Sequence, residues 1–137
     1  MADIGRAIEN GLLGLFGVDD ISAYQNSRPK ELGYIGEFNG QADAMRHMLG
    51  SAALTQKFGP TLANIYTAAH EWIAPDLNDA ASAMDTNNNL IGRELAQKYK
   101  TREEIEQAAM ELMRQARDSG QWNQNVSGVP RWLHNRK

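Results

Sequence analysis

Gln41-Ala42-Asp43-Ala44-Met45-Arg46-His47-Met48-Leu49-Gly50-Ser51-Ala52-Ala53-Leu54-Thr55-Gln56-Lys57-Phe58, followed by Gly59-Pro60, is the stretch that decides the fold class. It is rich in Ala, Met and Leu, which lose little side-chain freedom in a helix. It stops at a glycine before a proline, a pairing that ends one helix and opens the first turn of the next. Residues 41–58 are therefore expected to form a helix and residues 60–73 a second, with Leu62, Ile65, Tyr66, Ala69 and Ile73 along one stripe and Pro75 as its stop. The short turn between them predicts an antiparallel pair, which brings His47 and His70 to comparable distances from the turn.

Working outward, Ile4, Ala7, Ile8, Leu12, Leu15 and Phe16 recur at helical spacing and predict a short amphipathic helix over residues 3–16. Asp19-Asp20, Asn26-Ser27-Arg28-Pro29 and several glycines make residues 17–40 read as a long loop. Residues 79–84 read as a short helical piece, 85–89 as a polar turn, and 90–99 as a further helix carrying Ile91, Leu95 and Tyr99. Thr101-Arg102-Glu103-Glu104 is a capping box ahead of Ile105, Ala108, Ala109, Leu112, Met113 and Ala116, so 102–118 is a helix, closed by Ser119-Gly120. From Gln121 on, Trp122, Val129, Pro130 and Trp132 among polar residues suggest an extended strap held by its tryptophans. There is no β-alternation and no internal repeat. The reading is an all-α, compact, single-domain helical bundle of about five helices with a long N-terminal loop, a site-bearing core over 41–99 and a C-terminal strap over 121–137.

With 137 residues and 42% hydrophobic content, one core is expected. The absence of cysteine excludes disulfides, thiolate metal sites and a cysteine nucleophile. A net charge of -3 argues against general nucleic-acid binding, which needs accumulated Lys and Arg. The longest apolar candidate, Leu12 to Val18, is broken by glycines and falls short of the ~20 residues of a membrane span. Burial of its apolar residues internally or against another subunit fits equally. Asp3, Arg6 and Glu9 interrupt any secretory signal, so the expected location is the cytoplasm of the producing bacterial cell, with carriage in a virion as a further destination.

Against that apolar background stand three polar blocks: Asp43-Ala44-Met45-Arg46-His47, then His70-Glu71, then Met84-Asp85-Thr86-Asn87-Asn88-Asn89-Leu90-Ile91-Gly92-Arg93. Residues four apart share a helix face, so Asp43 can touch His47 and fix its tautomer, with Arg46 flanking. Asp85 is expected to cap the helix that follows, with Asn88 and Asn89 at its entrance and Arg93 facing back toward them, an arrangement suited to an anion. His47, His70, Glu71 and Asp85 are the candidate catalytic groups, and Asp43, Arg46, Asn88, Asn89 and Arg93 the candidate binding groups. A calcium loop starting at Asp85 fails, because Leu90 stands where its glycine belongs and Ala96 where its glutamate belongs. Met45, Met48, Met84, Met110 and Met113 read as core filler, and His134 as part of a solvated terminus. A structural pairing of Asp43 with His47 weighs about evenly against a functional one.

The three blocks, in this order, resemble a helical domain of phages and of Rhs-like and wall-associated polymorphic toxins. Its pattern is Asp-Ala-x-Arg-His, a downstream Ala-His-Glu, and Met-Asp-x-x-Asn-Asn-x-x-Gly-Arg. The resemblance covers the central part of the chain and implies a small helical domain with a polar site built from these residues, of toxin-like hydrolase character. This chain begins at a methionine without a preceding delivery domain, which departs from the toxin context and points to a phage or prophage product.

The residue types narrow the chemistry. A protein nucleophile would have to be Ser51, a threonine or a carboxylate, and no Gly-x-Ser-x-Gly elbow is present, so water is the expected nucleophile. Glu71 beside His47 and His70, with Arg46 or Arg93 neutralising charge, describes general acid–base hydrolysis. The pattern demands no cofactor. A divalent metal fits it, with His47, His70 and Asp85 as candidate ligands, although there is no His-Glu-x-x-His motif. The leading expectation is a hydrolase of a bacterial envelope polymer, peptidoglycan first. The alternatives are a noncatalytic phage virion or host-interaction protein, whose partners would be virion or host proteins, and a toxin-like nuclease or phospholipase.

Overall fold

A computed structural model describes residues 18–73 and 79–135, with side chains described for 20–67 and 80–135. Among the described residues there are four α-helices and no strand: α1 (Val18–Glu31), α2 (Gln41–Ile73), α3 (Asp79–Lys98) and α4 (Arg102–Ser119), followed by a single 3-10 turn (Gln121–Asn123). The amphipathic helix expected over residues 3–16 lies outside the described residues.

The segment expected to be a loop contains α1. Pro29 and the polar run before it signal a turn locally, but Pro29 sits in the last turn of the helix. That helix ends in a paired cap: Gly33 N–H donates to Lys30 O (2.9 Å) and Tyr34 N–H to Pro29 O (2.9 Å), with Gly33 at φ 92°. The connection then feeds α2 directly. Ala42 N–H donates to Ile35 O (2.8 Å) and Asp43 N–H to Gly36 O (3.1 Å), which satisfies orphan donors of the helix start. A side chain at Gly40 would run into Gly36, so the tightness of this join requires glycine there.

α2 carries both helices expected on either side of Gly59-Pro60. They are joined by one non-helical residue, Gly59 (φ 85°, ψ 163°), as a kink inside one helical run, and Pro60 opens the second segment. α2 packs most extensively on α3 and also touches α1 and α4. Met45, Met48, Leu49 and Ala52 of α2 meet Met84, Ile91 and Leu95 of α3, Ile105, Ala109, Met113 and Ala116 of α4, and Trp132 of the tail in one core. A smaller cluster joins Ile21 of α1 to Ala53, Leu54 and Ala63 of α2. Each fully buried Met contributes roughly 1.5–3 kcal/mol.

α3 corrects the reading of residues 79–99 as a short piece, a turn and a second helix. It is one helix from Asp79 to Lys98, because Met84, Asn88, Ile91 and Leu95 fall at helical spacing on the core side. The asparagines that looked like a turn are held in the helix by tertiary bonds. Buried Asn88 donates through Nδ2 to Arg131 O (2.7 Å) and accepts from Arg131 N–H (2.9 Å), while Asn87 Nδ2 donates to Val129 O (2.8 Å). These bonds clasp the C-terminal strap, whose Trp132 stacks on Trp122 with centroids 5.4 Å apart.

α4 has the expected capping box. Glu104 N–H donates to Thr101 Oγ1 (3.2 Å) and Thr101 N–H to Glu104 Oε1 (3.2 Å), and Gly120 closes the helix at φ 74°. Its Glu106 carboxylate is buried against α1, where Arg28 donates to both oxygens (2.9 and 3.0 Å) and Tyr24 donates its hydroxyl. His134 is bonded rather than simply solvated, its Nε2 lying 2.7 Å from Phe38 O. No described helix is long and apolar enough to cross a membrane.

Candidate functional site

The site grows from the first turns of α2. Asp43 lies in the first turn, its backbone anchored to Gly36. Its Oδ2 accepts from Asn39 N–H (2.8 Å), and Asn39 holds a left-handed conformation at φ 62°, which asparagine tolerates better than most residues. Its Oδ1 accepts from Arg46 Nε (3.1 Å) and Nη2 (2.6 Å). One helical turn on, His47 places Nε2 at 3.4 Å from the same Oδ1.

α3 supplies the other half. Asp85, Asn89 and Gly92 follow one helical edge facing α2. A side chain at Gly92 would collide with the Met48 carbonyl and Ser51 Oγ, so glycine there lets the two helices close. At this crossing Ser51 Oγ donates to the Asn89 carbonyl (2.9 Å). The approach brings Asp85 Oδ1 to 3.1 Å from His47 Nε2 and Asn89 Oδ1 to 3.1 Å from His47 Nδ1. Donor atoms of Asp43, His47 and Asp85 thus lie within 4.8 Å of one another.

The electrostatics follow from this packing. Burial would lower the His47 imidazolium, but the carboxylates of Asp43 and Asp85 outweigh it and push its pKa up to about 9. Burial likewise raises Asp43, and His47 and Arg46 together overcome this and bring it down to about 2. Asp85 Oδ1 is buried, and its close charge partner is His47 Nε2 at 3.1 Å. Arg46, 39% exposed, forms the outer wall, with Nη2 at 3.4 Å from His47 Nε2. It also lines a surface groove of about 200 Å³ with Gln25, Pro29, Lys30, Phe38 and Ala42.

Of the expected residues, Asp43, Arg46, His47, Asp85 and Asn89 come together. His70 and Glu71 lie on the second segment of α2, and their side chains fall outside the described residues. Asp85 and Asn89 work from inside a helix, so Asp85 caps nothing and no helix entrance for an anion exists here. Asn88 is committed to the strap. Arg93 donates to Thr67 Oγ1 (3.4 Å), and its guanidinium is partly desolvated, which lowers its pKa. Ser51 is buried with its hydroxyl bonded, which removes it as a nucleophile and makes it a helix tie. Asn39 was missed; its only signal is an asparagine before Gly40 in a turn.

Residues 21–121 match the family described as a domain of unknown function, DUF6973. The chain belongs to the DUF6973 family. The DUF6973 match spans α1 to α4, and so includes every residue of the Asp43–His47–Asp85 cluster and stops where the Trp-anchored strap begins. No solved structure matches the chain.

Proposed function

We propose that this DUF6973 protein is a phage-associated or toxin-like hydrolase that activates water at the Asp43–His47–Asp85 centre and acts on a bacterial envelope polymer, peptidoglycan first. The observation that carries the reading is the convergence of three donor groups from two separate helices within 4.8 Å. Asp85 Oδ1 is buried there with the His47 imidazole at 3.1 Å as its charge partner, so a carboxylate from each helix converges on one histidine. A buried histidine strongly shifted by two carboxylates at a helix interface supports a functional role. In the reaction, Asp85 takes the proton of the attacking water. His47, protonated near neutral pH, gives a proton to the leaving group, and Arg46 faces the developing charge from the groove side. The phage and toxin association rests on the sequence blocks, and the substrate on that association.

The test is release of labelled fragments from purified peptidoglycan, with nucleic acid and phospholipid vesicles as parallel substrates. Cleavage lost in His47→Gln and Asp85→Asn, with both variants folded, supports the reading; cleavage of nucleic acid or lipid alone moves the substrate to the other hydrolase class. No cleavage of any of them favours the noncatalytic virion or host-interaction protein. One observation already favours that second reading: Asn87 and Asn88, part of the third block, serve the strap.

A further inference from the structure

We infer that Asp43, His47 and Asp85 form a binding site for one first-row divalent cation, of the Zn2+ or Mn2+ class. The inference concerns the same centre as the proposed hydrolysis, but its readout is binding and needs no turnover.

The donor geometry fits. A tetrahedral cation held at about 2.0–2.2 Å by nitrogen and oxygen donors keeps those donors about 3.3 Å apart. His47 Nε2 is 3.1 Å from Asp85 Oδ1 and 3.4 Å from Asp43 Oδ1, so two edges of the triangle already have that length. The third pair lies within 4.8 Å, which a small side-chain rotation closes.

The surroundings fit as well. A metal-bound histidine characteristically donates its other ring N–H to a carbonyl or carboxylate, which fixes the tautomer. Asn89 Oδ1 stands 3.1 Å from Nδ1 in that role, so a cation that displaces the Nε2 proton finds the lone pair facing the two carboxylates. Asp43 is immobilised through its other oxygen by Asn39 N–H. Asp85 Oδ1 is buried and sits 3.1 Å from Nε2, and it comes from a different helix than the other two ligands. One imidazole with two carboxylates favours Zn2+ or Mn2+ over Ca2+, which takes six or more oxygen donors, and three protein ligands leave a position open for water.

Arg46 is the competing cation. Its Nη2 occupies Asp43 Oδ1 at 2.6 Å, but the side chain is 39% exposed and has the surface groove to move into. The site is therefore guarded by a displaceable guanidinium, and removing that charge strengthens cation binding.

Calorimetric titration of the whole chain with ZnSO4 and with MnCl2 tests this. The expected result is one ion per chain, at least tenfold weaker in Asp85→Asn and in His47→Gln, and tighter in Arg46→Gln. Circular dichroism shows whether each variant is folded, and in the wild type the His47 Nε2 resonance, followed by nitrogen NMR, shifts on titration. Absence of stoichiometric binding of either ion to the wild type, or binding undiminished in both weakening variants, overturns the inference. Binding without cleavage of any polymer leaves this site standing and sinks the hydrolase reading. Cleavage at full rate in chelator, with no binding, does the reverse.

Discussion

Ser51 Oγ donates to the main-chain carbonyl of Asn89 at 2.9 Å, tying the helix that carries His47 to the helix that carries Asp85 one turn from where those side chains meet. A hydroxyl can reach a helix carbonyl at that range only because Gly92, one turn further along α3, has no side chain between the helices. The meeting of His47 with Asp85 is therefore set by a close helix crossing, while the connection before α2 holds Asp43.

That crossing predicts the effect of filling it. In Gly92→Ala the new methyl meets Ser51 Oγ, which can rotate away only by giving up its bond to Asn89 O, and the Met48 carbonyl, which cannot retreat without moving helix backbone. Overpacking of this kind costs about 1–3 kcal/mol and should separate Asp85 from His47. Urea unfolding is the check: a loss in that range together with loss of site function is expected. An unchanged midpoint with full function would show that the crossing has slack.

The strap gives a different result. Asn88 is 0% exposed and satisfies both the N–H and the carbonyl of Arg131. Asn88→Ala strands two backbone groups, with an expected loss on the order of 2–4 kcal/mol. Trp122 and Trp132 fluorescence should change and the Arg131 amide should lose hydrogen-exchange protection. If the tryptophan environment persists unchanged, the stacked pair holds the strap without the asparagine.

The acid limb of stability should report Glu106. Burial raises this carboxyl, but hydrogen bonds from Arg28 and Tyr24 together with the Arg28 charge overcome it, so its folded pKa lies below the usual carboxylate value. A depressed carboxylate stabilises the fold above its unfolded pKa, near 4.3, and loses that contribution as pH falls toward and through the folded value. Glu106→Gln should therefore be clearly destabilising at pH 7, with the gap to wild type narrowing at about pH 3. A gap independent of pH would mean that the contribution is packing rather than charge.

These cases show where the sequence was legible. The capping box of α4 and the Asp43–His47 spacing are local, and both are read from residues three or four apart. α1 was hidden because Pro29 and its polar neighbours have strong turn preferences, which the Gly33 cap and packing of Ile21 and Tyr24 override. The asparagine run resembled a turn for the same reason, since what keeps Asn87 and Asn88 helical is a backbone segment some forty residues later. The meeting of Asp85 with His47 had no local signature: it depends on Gly92, whose role appears only when the second helix is in place.

The two carboxylates of the centre should behave oppositely when neutralised. Asp43 holds the connection to α2 through Asn39 N–H and anchors Arg46, so Asp43→Ala removes fold contacts as well as a ligand and should cost about 2–3 kcal/mol. Asp85 Oδ1 is buried and pairs with His47 Nε2 at 3.1 Å. Asp85→Asn trades that ion pair against relief of a buried charge, so stability should stay within about 1 kcal/mol of wild type while hydrolysis and cation binding are lost. Parallel denaturation curves and activity assays on the two variants make the comparison. If Asp85→Asn unfolds the protein as readily as Asp43→Ala does, Asp85 belongs to the architecture and the centre loses its strongest mark of function.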